Sequence, residues 1–356
     1  MGQPKISKDS KVGYYIAIAV FVVLLIAIGI VRRSWGSNQP ATNNSTLKPS
    51  IAVFQLYVAA PFVAAIDSQS IGDSRDIFKD VGLEPTILKQ AKGPDIVNSL
   101  QSGSADFGTL AITPIALQAA QGNEFRIFAT IQTTSSDIKV LCNASKGITD
   151  ASKLSGHVVG YVGGTFGEIF LDRYLAKHKL TRSDVNLVAA APAQLRDGFL
   201  AGSLDAVVIW EPFAQDIKQS PSIKEGQLFV DVDESLYTGT INLVAKASTL
   251  ETKREEAQRL VKALLVAEEV LKAHPDQVQA KLEAWLERKP GSLNGVFVPR
   301  TFHVELNQAF LKKGLGDEID WAAASVFKGK KLNPVSPEKL IDPSIMSVVA
   351  PDRLLP

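Results

Sequence analysis

One short pattern occurs twice in the chain and limits the folds open to it. Residues 100–114 read LQSGSADFGTLAITP and residues 200–212 read LAGSLDAVVIWEP. Each copy has a helix end, a Gly-Ser-x-Asp turn, an apolar strand and then a proline. Glycine takes the left-handed position that stops a helix. Asp106 and Asp205, 99 positions apart, read as turn residues whose carboxylates bond nearby backbone amides. The same device used twice predicts two similar α/β units.

The surrounding pattern agrees. Apolar runs at 51–58, 86–89, 107–112, 138–143, 158–162, 185–189 and 206–209 alternate with segments of helical period, such as 95–101. Pro61 suits the first turn of a helix. Strands separated by helices predict βαβ units and a mainly parallel sheet. Beyond residue 248 the period is helical: Leu260, Val261, Leu264, Leu265, Ala267 and Leu271 share a face over 250–273. His274-Pro275 should stop that helix, and 277–286 should resume it with Trp285 inward, packed on the first unit.

Residues 12–31 form a run of 20 without a charge. As a helix this run would be about 30 Å long, the thickness of a bilayer core. It ends in Arg32-Arg33 rather than a small-residue cleavage site, which favours a retained signal-anchor over a cleaved signal peptide. Lys5, Lys8 and Lys11 before it nearly balance Arg32, Arg33 and Lys48 after it, so charge alone leaves the orientation open. Residues 34–49 are polar and read as a tether. Two overlapping glycosylation sequons begin at Asn43 and Asn44, and a solvated linker is their simpler reading.

Lys and Arg number 38 against 37 for Asp and Glu, without the basic excess that a nucleic-acid binder needs. One cysteine, Cys142, excludes disulfides within the chain and zinc sites with several thiolates. The histidines at 157, 178, 274 and 303 form no HExxH pair, and GxSxG and GxxxxGK[ST] are absent. No catalytic set, metal site or cofactor is expected.

Binding chemistry has two candidate places. Strand 158–162 runs into Gly163-Gly164-Thr165-Phe166-Gly167-Glu168, where Thr165 and Glu168 fit a capping box. Adjacent glycines and a helix N-terminus could take a carboxylate, sulfonate or phosphate, whereas glycines 160, 163, 164 and 167 miss the GxGxxG fingerprint. Trp210 and Glu211 end the repeated strand, on the side that faces ligand in open α/β sheets. Tyr57, Ala59 and Ala60 hold the matching end of the first strand.

SGSADFG, GYVGGTFGEIFLDRYLAKHKLTRSDVNLV, LAGSLDAVVIWEPF and the closing SIMSVVAPDRLLP together resemble the NMT1/THI5-like, or SsuA-like, solute-binding proteins of ABC importers. The resemblance covers residue 50 to the C-terminus. It implies a type II periplasmic-binding-protein fold, two α/β lobes joined by two hinge strands near 134–139 and 238–243, here preceded by one N-terminal transmembrane helix. The expected organisation is a cytoplasmic 1–11, a membrane segment 12–31, a linker 32–49, first-lobe parts 50–139 and 237–356, and a second lobe 140–236. It also implies a small anionic or zwitterionic ligand (sulfonate, nitrate, taurine or pyrimidine precursor), an ABC permease with its ATPase as partners, and an extracytoplasmic domain. The matching cleft positions are Tyr57, Ala59, Ala60, Thr109, Gly163, Gly164, Thr165, Trp210, Glu211 and Gly239. The cysteine-rich stretch of the pyrimidine-synthase branch is absent. A synthase-like enzyme and a membrane-tethered sensor are the alternatives to transport.

Overall fold

The computed structural model describes residues 45–356, so the expected membrane segment and most of the linker lie outside the described residues. Among the described residues no helix is long and apolar enough to cross a membrane. The strands are β1 (Ser50–Phe54), β2 (Thr86–Gln90), β3 (Phe107–Ala111), β4 (Phe125–Thr134), β5 (Ile138–Asn143), β6 (Val158–Tyr161), β7 (Asn186–Ala189), β8 (Ala206–Trp210), β9 (Leu228–Asp231), β10 (Gly239–Lys246), β11 (Phe302–Asn307) and β12 (Leu354–Leu355). They form a seven-stranded sheet in the order β12-β11-β4-β10-β3-β1-β2 and a five-stranded sheet in the order β7-β6-β8-β5-β9.

The sheets are mixed rather than mainly parallel. β1 pairs in parallel with β2 and β3, and β6 with β7 and β8. The strands next to the crossings run the other way: β10 is antiparallel to β3 and β4, and β5 to β8 and β9. A chain that leaves one sheet at Thr134 and enters the next at Ile138 has no room for a helical crossover, so it arrives reversed. The return runs from Asp231 to Gly239, and Gly239 pairs with Thr134. The two crossings therefore lie side by side.

Burial follows the period of two. In β8, Ala206 and Val208 enter one core with Val140, Phe170 and Tyr174, while Val207 and Ile209 enter the other with Leu195 and Phe199. Both faces are covered, one by the helix Phe166–Lys177 and the other by Pro192–Leu200, which is why β8 reads as an unbroken apolar run. The distal helix is split at Lys253 into Ala247–Thr252 and Arg254–Ala273, and the next helix, Pro275–Trp285, begins directly on the proline. Val278 and Leu282 turn inward there. Trp285 is half-buried and packs against the edge of the core, as expected, with Lys89 Nζ 4.4 Å from its ring centroid. A Trp at a helix end is large enough to cover the rim of a core without entering it.

The repeated aspartates do not bond locally. Asp106 Oδ2 accepts from Ser50 N at 2.9 Å and Ser50 Oγ at 3.0 Å, 56 positions away, and pairs with Lys253 at 2.7 Å. Asp205 Oδ2 accepts from Val158 N at 2.9 Å, 47 positions away, and its other oxygen pairs with Lys146. Each carboxylate thus ties the start of β3 or β8 to the start of its parallel neighbour, β1 or β6. A parallel pair leaves the first amide of one strand unpaired, and the aspartate supplies the acceptor.

Partial burial opposes ionisation of Asp205, yet Lys146, the Val158 amide and His157 hold its carboxyl below the ordinary value. Its stabilising contribution is therefore present above the unfolded value of 3.8 and fades as pH falls below it. Asp205→Ala should cost about 1–3 kcal/mol at pH 7 by leaving the Val158 amide without a partner. Denaturant titrations should show the gap from wild type narrowing below pH 3.8; a gap independent of pH would contradict the clamp.

Candidate functional site

The crossings meet the carboxyl ends of β1 and β3 at a narrow cleft with a cavity volume of about 30 Å3. Its walls are Phe54, Leu56 and Val58 from the β1 end, Ala111 from β3, Gln132, Thr134, Ser135, Asp137 and Ile138 from the first crossing, Tyr237, Gly239, Thr240 and Ile241 from the second, and Phe166 at a helix start. The lining is largely apolar. Phe166 lies nearly parallel to Tyr237, with ring centroids 6.1 Å apart, and tilted by 42° against Trp210 at 4.7 Å.

Tyr57 Oη donates to Asp137 Oδ1 at 2.6 Å. Burial pushes the Tyr57 phenol well above its ordinary value, so it keeps its proton. Burial also raises the Asp137 carboxyl to about 7, with the Tyr57 bond and Lys139 opposing. Asp137 also borders a neighbouring pocket lined by Tyr57, Lys139, Glu211, Lys218 and Thr301. There Glu211 accepts from Gln215 N at 2.8 Å and from Lys218 at 3.2 Å, with Lys139 at 3.5 Å.

The ten positions matched by resemblance fall into three groups. Gly239 lines the cleft, while Tyr57 and Glu211 line the adjoining pocket. Trp210, Thr109, Ala59 and Ala60 are buried. Trp210 backs the cleft through Phe166, and the Thr109 hydroxyl accepts from Phe54 N at 3.0 Å. Gly163, Gly164 and Thr165 form the turn before the helix Phe166–Lys177, outside the cleft's lining. Gly164 has a φ of 71° there. Its amide, offered to an anion in the sequence analysis, donates to Glu168 Oε2 at 2.8 Å, and Gly167 N donates to Thr165 Oγ1 at 3.2 Å. Glu168 is held in turn by Arg182 at 2.9 Å. The expected capping box does not close, because Thr165 caps Gly167 N rather than Glu168 N and Glu168 reaches back past Thr165 to the Gly164 amide.

Gln132, Asp137, Phe166 and Tyr237 are the residues that sequence reasoning missed. A signal existed for Gln132, a lone amide directly after the apolar run Ile127–Ile131 within what proves to be β4. Tyr237 sits beside a buried acid. Glu318, 2% exposed, faces the Thr113 and Tyr237 hydroxyls, and its Oε2 has no hydrogen-bond partner among the described residues. Trp321 Nε1 on the same helix donates to Asp172 at 2.8 Å, and Arg288 pairs with Asp216, so side chains tie the elements around one sheet to those around the other. The histidines stand elsewhere: His157 pairs with Asp205 and His303 with Glu268.

Two mixed α/β sheets joined by paired crossings over a cleft define a periplasmic-binding-protein fold. The aliphatic sulphonate binding protein SsuA of Escherichia coli has this fold, with a TM-score of 0.66 at 18% identity, covering 81% of this chain and 96% of that one. The family model for NMT1/THI5-like proteins matches residues 71–278, and the chain belongs to that family. A Brucella abortus protein named as a binding protein is 25% identical over 211 residues, which is 58% of this chain and 64% of its own length. The chain thus spans just under two thirds of such relatives. A Bacillus subtilis protein named for binding aliphatic sulfonates is 25% identical over 258 residues, 72% of this chain and 75% of that protein.

Two outcomes follow from the packing. Trp210→Ala should cost about 3–5 kcal/mol in chemical denaturation, as a fully buried ring does, and a loss below 1 kcal/mol would contradict its place behind Phe166. Burial raises the Glu318 carboxyl from 4.5 to about 7. The fold then holds a proton that the unfolded chain has released, so stability falls as pH rises from 4.5 to about 7. Glu318→Gln should match wild type near pH 4 and exceed it by up to about 3 kcal/mol at pH 8; melting curves across that range would expose a wrong sign.

Proposed function

We propose that the chain is the extracytoplasmic solute-binding component of an ABC importer, a binding protein rather than an enzyme. In this reading residues 50–139 and 237–356 form one lobe and 140–236 the other, and the lobes close on a small solute. The observation that carries it is the cleft at the paired crossings, where few backbone torsions need change for the sheets to part. Ligand then shifts the population toward the closed state, which the permease and its ATPase read. Residues 12–31 would hold the domain at the outer face of the cytoplasmic membrane, with 1–11 inside and 32–49 as tether.

The sulfonate-named relatives make a small anionic or zwitterionic solute the starting class. Tyr57, Trp210, Glu211 and Gly239 shape the cleft and its wall, with Ala59, Ala60 and Thr109 behind them and the 163–165 turn at its edge. Titration calorimetry of the purified chain against taurine, ethanesulfonate, nitrate and cytosine should find binding in the micromolar range, about 8 kcal/mol, at one solute per chain. The bound solute should be recovered unchanged. No binding across the panel, or conversion of a solute to product, would overturn the proposal. Protease added to intact spheroplasts should degrade the domain.

A further inference from the structure

The cleft presents acceptors to its contents and keeps its cations turned away. Gln132 is 1% exposed and lines the cleft. Its Nε2 donates to Thr301 Oγ1 at 3.0 Å, and Thr301 Oγ1 spends its own proton on Val298 O at 2.8 Å. A hydroxyl whose proton is committed can only accept, so the amide cannot be flipped, and Oε1 is the atom left over. That oxygen is buried and without a hydrogen-bond partner among the described residues. An unpaired buried acceptor is costly, and a ligand donor would remove the cost.

The other groups point the same way. Asp137 adds a carboxyl group to the lining. Among the described residues no Lys, Arg or His lines the cleft. The nearest lysines are engaged: Lys139 with Ser136 O at 2.7 Å and with Glu211, and Lys218 with Glu211. At the turn before Phe166 the Gly164 amide is already taken by Glu168. The ring faces of Phe166 and Tyr237 suit a flat apolar body.

We infer that the solute presents an N–H group to Gln132 Oε1 on a flat, apolar body, and that a simple anion is not its ligand. This rests on the solute-binding reading and replaces the anionic part of its starting class with neutral or cationic donors, keeping the zwitterions. Specificity of this kind is strong, because an analogue without the donor leaves the buried acceptor unpaired.

Three ring probes of matched size separate the cases in calorimetry with the full chain: benzamide, benzamidine and benzenesulfonate. Benzamide and benzamidine should bind at least tenfold more tightly than benzenesulfonate. Gln132→Met, close in shape but without the acceptor, should weaken benzamide at least tenfold while the ligand-free melt stays cooperative. Gln132→Glu restores an acceptor and should retain benzamidine. Equal or tighter binding of benzenesulfonate, or unchanged benzamide affinity in Gln132→Met, would overturn the inference and leave solute binding intact. If none of the three binds while ethanesulfonate or nitrate does, the inference fails alone. If no compound in either panel binds, both readings fall.

Discussion

The antiparallel pairing of β4 with β10 is the contact on which the rest of the molecule depends. Through it the chain leaves and re-enters the larger sheet along one line, Thr134 opposite Gly239. The same pairing sets Gln132 opposite Ile241, both in the cleft wall, so the connection between the sheets and the floor of the site are one piece of backbone. Polar groups placed there are positioned by a ladder of hydrogen bonds rather than by a free loop. This is how an amide can be held in a fixed orientation inside an apolar strand.

The electrostatics of the site come from neutralisation around it. Glu168 takes the helix start, Glu211 draws Lys139 and Lys218, and Arg182 is divided between Glu168 and Asp172. Partly buried ion pairs of this kind add little to stability. Their effect is to leave a cleft without a lysine, arginine or histidine in its lining among the described residues.

The repeat made the two α/β units legible, and β5 was read to the residue because an apolar strand buried on both faces needs no partner to be recognised. β4, β9 and β11 were not read. FRIFATIQTT carries an arginine, a glutamine and four threonines or alanines, and its extended form follows from lying between β10 and β11 rather than from local preference. The aspartates were found but given the wrong partners, since a turn bond and a bond 47 or 56 positions away need the same residue at the same place. Of the site, the strand ends were visible in the residues, whereas the crossings near 134–139 and 238–243 came only from the family resemblance. The polar residues that matter are isolated ones in segments without motif or period. Thr165 was read correctly as the cap, but Glu168 bonds the Gly164 amide instead of closing a capping box, and so takes the amide offered to a ligand.

The position of β10 also bears on how the molecule is assembled. It lies in the middle of the larger sheet, between β3 and β4, yet it follows every strand of the smaller one in the chain. During synthesis β1, β2 and β3 can pair among themselves, and β4 must wait with an open edge until the whole of the smaller sheet has emerged. The smaller sheet is continuous in sequence and can be completed first. The larger one closes around the later arrival, with an exposed edge in the interval that is open to mispairing.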